Sequence, residues 1–127
     1  LEHVAIRERL GLLTRSAAEE RAVEQRAIEA VCEALRAHDL LGRHADEESI
    51  VEALYGYLAQ SPALLLGVAV PDLVGDRRAV NQPGTDTEYP NWKVPVSDTH
   101  GRVITLAELT ASPRAQALVE AIRRVRR

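Results

Sequence analysis

The chain has 127 residues, 46% of them apolar, which is one small domain's worth of sequence with enough greasy side chain for a core. Its net charge is -3, from 16 basic and 19 acidic residues mixed along the chain rather than gathered in a stripe, and this argues against a nucleic-acid partner. Cys32 is the lone cysteine, which excludes an internal disulfide and a cysteine-built metal cage and favours a reducing cytoplasm, and no run reaches the roughly 20 apolar residues of a membrane span.

Leu1 to Leu13 reads as a helix on the apolar positions Val4, Ile6, Leu10 and Leu13, stopping near Gly11. Ser16 opens the next: Ser16 and Glu19 have capping-box spacing, and Val23, Ala27, Val31, Ala34 and Leu35 recur on one helical face, with the end expected near Gly42. Asp46 caps a third helix with a stripe of Ile50, Leu54, Tyr57 and Leu58, and Pro62 closes it. Residues 1–62 therefore form a helical layer.

Ala63 to Val70 reads ALLLGVAV, without one polar side chain and bounded by Pro62 and Pro71. It is too short to read as a helix by periodicity and does not alternate, so it is expected as a strand buried on both faces, as in parallel sheets. One such strand needs neighbours on both edges, and no second run of this kind occurs. With no Met in the chain and a start inside a helical pattern, we expect a piece of a longer protein.

Residues 71–104 are expected as a long loop, rich in Pro, Gly, Asp and Asn at first, and long ordered loops usually carry function. Helix returns with a second capping-box pair, Thr105 and Glu108. Ser112-Pro113 then starts a last helix with Leu118, Ala121, Ile122 and Val125 on its buried side. Arg123, Arg124, Arg126 and Arg127 end that helix, where positive charge offsets the helix dipole. His3, His38, His44 and His100 lack ligand spacing, so no metal is expected, and Cys32 is read as a small buried hydrophobe.

The loop carries Asn81-Gln82-Pro83-Gly84-Thr85 and then Tyr89-Pro90-Asn91-Trp92. This resembles the N-x-P-G-T and Y-P-N-W signature of the 4-α-glucanotransferases, the amylomaltase group, and Glu2 to Leu13 is similar to the helical segment after the seventh barrel strand of bacterial members. The resemblance implies the C-terminal portion of a (β/α)8 barrel: mainly α with one buried strand, residues 63–70 being the eighth strand. The rim loop follows, and the active face of such barrels lies at the strands' C-terminal ends.

It further implies transfer of α-1,4-glucan segments between maltooligosaccharides or amylose by a retaining double displacement, with no cofactor. The family's three catalytic carboxylates lie upstream, so no catalytic residue is assigned here and the piece alone is expected to be inactive. Asn81 matches the motif's asparagine and is the expected substrate contact, with Gln82 and Pro83 shaping the same wall.

Tyr89, Pro90, Asn91 and Trp92 could together form a stacking platform for sugar C–H groups, but a buried anchor for the loop is the preferred reading, and Gly84, Thr85, Tyr89 and Trp92 are assigned as loop structure. Asp72 and Asp76, near the strand's end, are read as capping a short turn. The alternative for the whole chain is a helical interaction or regulatory module. Exposed strand edges would let the isolated piece pair residues 64–70 with another chain.

Overall fold

The computed structural model describes residues 2–126; the expected helix start at Leu1 and the last of the terminal arginines, Arg127, lie outside them. It is mainly helical: α1 (Glu2–Arg9), α2 (Ala17–Ala37), α3 (Glu47–Ala59), α4 (Val70–Val74), α5 (Leu106–Ala111) and α6 (Pro113–Val125). The backbone divides into two compact units, residues 2–30 with Arg77–Pro95, and Val31–Asp76 with residues 96–126.

In the first unit, α1 and the opening turns of α2 are bridged by polar side chains. Arg7 Nη1 lies 3.0 Å from Glu20 Oε1, His3 Nε2 3.2 Å from Glu24 and Arg21 Nη2 3.2 Å from Glu8. Arg15 reaches the other Glu20 oxygen at 3.2 Å, so that carboxylate is held from two sides. The box that starts α2 is formed, with Glu19 N–H donating to Ser16 Oγ at 3.2 Å and Ser16 N–H to Glu19 Oε2 at 3.0 Å. Val4 is fully buried, whereas Val23 and Ile28 of α2 stay exposed.

In the second unit, the end of α2 supplies Cys32 and Leu35 to a core with Leu41 and Ala53, against which Leu40, Ala45, Ile50 and Leu54 pack. α2 stops at Ala37 rather than near Gly42, because Asp39 takes the left-handed conformation (φ 57) and turns the chain. Asp46 caps α3 by accepting the Ser49 N–H at 2.9 Å.

α6 packs on α3, α4 and α5. Its Leu118 and Ala115 are buried, and Ala53 and Gly56 of α3 share one cleft with its Ala121 and Val125. Small residues on α3 let the two helices approach, and a buried leucine such as Leu118 contributes about 1.5–3 kcal/mol. Ser112 caps α6 through the Ala115 N–H, with Pro113 at the first position.

Three expectations change here. The α2 stripe of Val23, Ala27, Val31 and Ala34 is exposed, and burial falls on Cys32 and Leu35. On α3 the covered side is Ala53, Tyr55, Gly56 and Ala59, while Tyr57 and Leu58 are exposed. A helical period marks an apolar face but does not say which part of it the rest of the chain covers.

The third change is the buried strand over residues 63–70. Among the described residues no strand forms, and β-pairing is limited to one antiparallel bridge, Ser97 with Val103. Residues 65–69 carry no regular secondary structure, Val70 already belongs to α4, and Leu64 and Leu65 are 94% and 90% exposed. Strand pairing and burial both come from neighbouring strands, and the described residues supply none.

The segment is nonetheless held at each end. Arg126 Nη2 donates to the Ala63 carbonyl at 2.6 Å, and the Ala69 N–H donates to the Tyr55 hydroxyl at 3.0 Å.

α4 occupies the start of the stretch expected as loop. Asp72 does not cap it: the N-cap is Ala69 with no side-chain bond, and Asp72 sits in the first turn. Gly75 ends α4 at φ 76, where a Cβ would stand 2.5 Å from Thr99 Cγ2 and 3.2 Å from the Arg114 guanidinium, so only glycine fits. Asp76 accepts the Ser97 N–H at 2.9 Å, tying the chain after α4 to the turn that precedes α5.

Candidate functional site

The loop of the first unit is tied through its own side chains. Pro83 and Gly84 make the turn that glycine at a left-handed φ of 88 permits, and Thr85 Oγ1 closes it by donating to the Gln82 carbonyl at 2.6 Å. A Cβ on Gly84 would lie 3.4 Å from Leu12 Cδ2, so the turn passes close to Leu12.

Asn91 then joins the two halves of the motif. Its Oδ1 accepts the Gln82 N–H at 2.7 Å, and its Nδ2 donates to the Thr85 carbonyl at 3.2 Å and to Thr85 Oγ1 at 3.0 Å. The Trp92 N–H donates to the Val80 carbonyl at 2.8 Å, and the Tyr89 hydroxyl to the Ala79 carbonyl at 2.5 Å. Glu88 takes the Asp86 N–H, and accepting that backbone donor holds its carboxyl below the usual range.

These bonds bring the residues predicted from sequence together in one loop but employ them differently. Thr85, Gly84 and Tyr89 make the scaffold. Asn81 is half-buried, and its amide has no hydrogen-bond partner among the described residues. Gln82 is only 6% exposed, with its backbone engaged on both sides and its side-chain amide equally without a partner among the described residues. Neither amide has an atom that is both buried and unbonded, so both present donors and acceptors to solvent, where a polar ligand can take them up.

Trp92 differs from the buried anchor expected for it. Its backbone is held, but its side chain is 76% exposed and its φ is 60, a left-handed conformation that costs a non-glycine residue about 1–2 kcal/mol. The loop is fastened by Asn91 and Tyr89 instead. Asn91 belongs to the Tyr89 to Trp92 string expected to anchor the loop, but no local signal marks it as the hub, because its three bonds reach six to nine residues back.

A polar cluster in the second unit also escaped the sequence. The Tyr55 hydroxyl donates to Asp72 Oδ2 at 2.6 Å, and burial, then this bond, raises the tyrosine's pKa. Arg114 donates to the Asp72 carbonyl at 3.2 Å and pairs with Glu48 at 3.3 Å. No group of three or more His, Cys, Asp or Glu suited to a metal occurs among the described residues, and no described helix is long and apolar enough to cross a membrane.

In class, this is a helical module that carries an ordered polar loop with free amides. The chain belongs to the 4-alpha-glucanotransferase family, glycoside hydrolase family 77, whose profile matches residues 12–100 and so takes in α2, α3, α4 and the loop segment from Asn81 to Trp92. The 4-alpha-glucanotransferases of Mycobacterium bovis and Mycobacterium tuberculosis are 44% identical to it over 124 residues. The crystal structure of amylomaltase from Corynebacterium glutamicum matches it at a TM-score of 0.84 and 32% identity over 95% of this chain. The chain spans 17% of the length of the mycobacterial relatives and 19% of the amylomaltase chain.

Proposed function

We propose that this chain is the C-terminal portion of a cytoplasmic 4-α-glucanotransferase that moves α-1,4-glucan segments between maltooligosaccharides or amylose. Residues 63–70 are then the eighth strand of a (β/α)8 barrel, and the loop that follows stands at the rim where such barrels do their chemistry. The observation that carries this reading is the match of relatives named for this activity to the loop whose Asn81 and Gln82 amides are unpaired.

The reaction is a retaining double displacement. A carboxylate attacks the anomeric carbon while a second acid gives its proton to the departing 4-oxygen. An acceptor sugar hydroxyl, losing its proton to that same residue, then displaces the carboxylate and restores the α-linkage. Those carboxylates lie upstream of this chain.

The part of the present residues is to bind and orient. Asn81 donates to and accepts from sugar hydroxyls, Gln82 adds a second amide, and Pro83 shapes the wall. Gly84, Thr85, Tyr89 and the Trp92 backbone hold that wall in place, and no cofactor is needed. The apolar segment, anchored at Ala63 and Ala69 but with Leu64 and Leu65 in solvent, suits a strand that gains its neighbours from the rest of the barrel.

Maltotriose disproportionation by the full-length protein tests the proposal: glucose and longer maltooligosaccharides should form, and Asn81→Ala should lower kcat/KM by about tenfold or more. Absence of any transfer product from the unaltered protein would end this reading and leave the helical interaction module.

A further inference from the structure

We infer that the Trp92 indole is a stacking platform for one glucose ring of the bound α-glucan, set next to the Asn81 and Gln82 amides. This rests on the glucan-transfer reading above and adds to it a contact that supplies the apolar half of sugar recognition. A glucopyranose ring has two kinds of surface, a rim of hydroxyls and faces of C–H groups. Amides satisfy the first, and an aromatic plane satisfies the second.

Three observations in the same unit point this way. The indole is the largest side chain in the molecule and is 76% exposed on a loop whose backbone is otherwise closely tied. Its φ of 60 is a conformation that persists only where surrounding structure imposes it, and such residues cluster at ligand sites. The imposing structure is identifiable: the bond from Trp92 N–H to the Val80 carbonyl at 2.8 Å, and the three bonds of the preceding Asn91 side chain.

Val80 immediately precedes the two amides, so this bond fixes the Trp92 backbone to the residue next to Asn81 in sequence. Gln82, nine-tenths buried as a residue, contributes an amide whose atoms bond to no described residue and still reach solvent. A loop that spends its hydrogen bonds on Asn91 and Thr85, leaves the Asn81 and Gln82 amides unbonded within the chain, and turns a tryptophan out at a left-handed φ presents the two kinds of surface that an amphipathic sugar ring needs.

The test is steady-state glucan transfer by the full-length protein with maltoheptaose as donor, comparing Trp92→Ala and Trp92→Phe with the unaltered enzyme, alongside thermal melts. A platform predicts that Trp92→Ala raises KM about tenfold with kcat and Tm little changed, and that Trp92→Phe, which keeps a flat ring, recovers most of the loss. An unchanged KM in Trp92→Ala overturns the inference while transfer by the unaltered enzyme still stands. So does a large fall in Tm with kcat and KM lost together in both variants, which marks an indole buried by other parts of the full-length protein. No transfer by the unaltered enzyme refutes the glucan reading itself, and the platform with it.

Discussion

The Tyr55 hydroxyl donates to Asp72 Oδ2 at 2.6 Å and accepts the Ala69 N–H at 3.0 Å, so one side chain on α3 grips both the end of the apolar segment and the first turn of α4. Removing that oxygen leaves a backbone donor unmet and a carboxylate without its partner. Tyr55→Phe should therefore cost about 1–3 kcal/mol in urea unfolding of the 127-residue chain. Asp72→Asn, whose amide oxygen still accepts the hydroxyl, should cost less. Equal losses in the two variants would mean that the charge, and not the bridging oxygen, holds the junction.

Asn91 is the corresponding fastening of the loop, with one bond accepted and two donated. Asn91→Ala should destabilise by about 1–3 kcal/mol and make the segment from Asn81 to Trp92 the first site of limited proteolysis, with helix content by circular dichroism unchanged. Asn91→Asp keeps the acceptor for Gln82 and loses both donors, so it should fall between the two. A loop as resistant in Asn91→Ala as in the unaltered chain would contradict the role of hub.

Glu108 joins a capping box with Thr105 and pairs with Arg102 at 2.7 Å. The Thr105 N–H, then the Arg102 guanidinium and the Thr105 hydroxyl, lower its pKa from 4.5 to about 2. A carboxylate depressed on folding adds stability that is fully present above pH 4.5, declines below it, and is gone once the pH falls through about 2. Stability curves of the unaltered chain and Glu108→Gln, followed from neutral to acid, should accordingly converge over that window. Parallel curves would show that the capping carboxylate contributes nothing to folding.

Leu64 and Leu65 are almost fully exposed on a segment with no regular secondary structure, and exposed apolar backbone of this kind invites pairing. The isolated chain should self-associate in a dilution series by sedimentation, and Leu65→Lys should make it monomeric while changing its stability by less than about 0.5 kcal/mol. In the full-length protein the same change should be strongly destabilising, because a strand between two neighbours buries the position. Tolerance of lysine there would remove residues 63–70 from the barrel.

What could be read from the sequence alone was local. The Ser16–Glu19 and Thr105–Glu108 boxes, the Asp46 cap and the Ser112-Pro113 start all form, because a cap is completed by atoms three residues away and needs no other part of the fold. The loop motif was legible for a related reason: two short strings in order are enough to mark it, and the family match over residues 12–100 agrees.

Tertiary structure decided which apolar surfaces are covered and which polar groups meet. The α2 stripe and the ALLLGVAV run both call for burial, yet composition names no partner, and within this chain much of each remains in solvent. Tyr55 meets Asp72 across 17 residues, Arg114 reaches the Asp72 carbonyl across 42 and Arg126 the Ala63 carbonyl across 63. Such contacts depend on how helices pack, since side chains far apart in sequence become neighbours only after the backbone has brought them together.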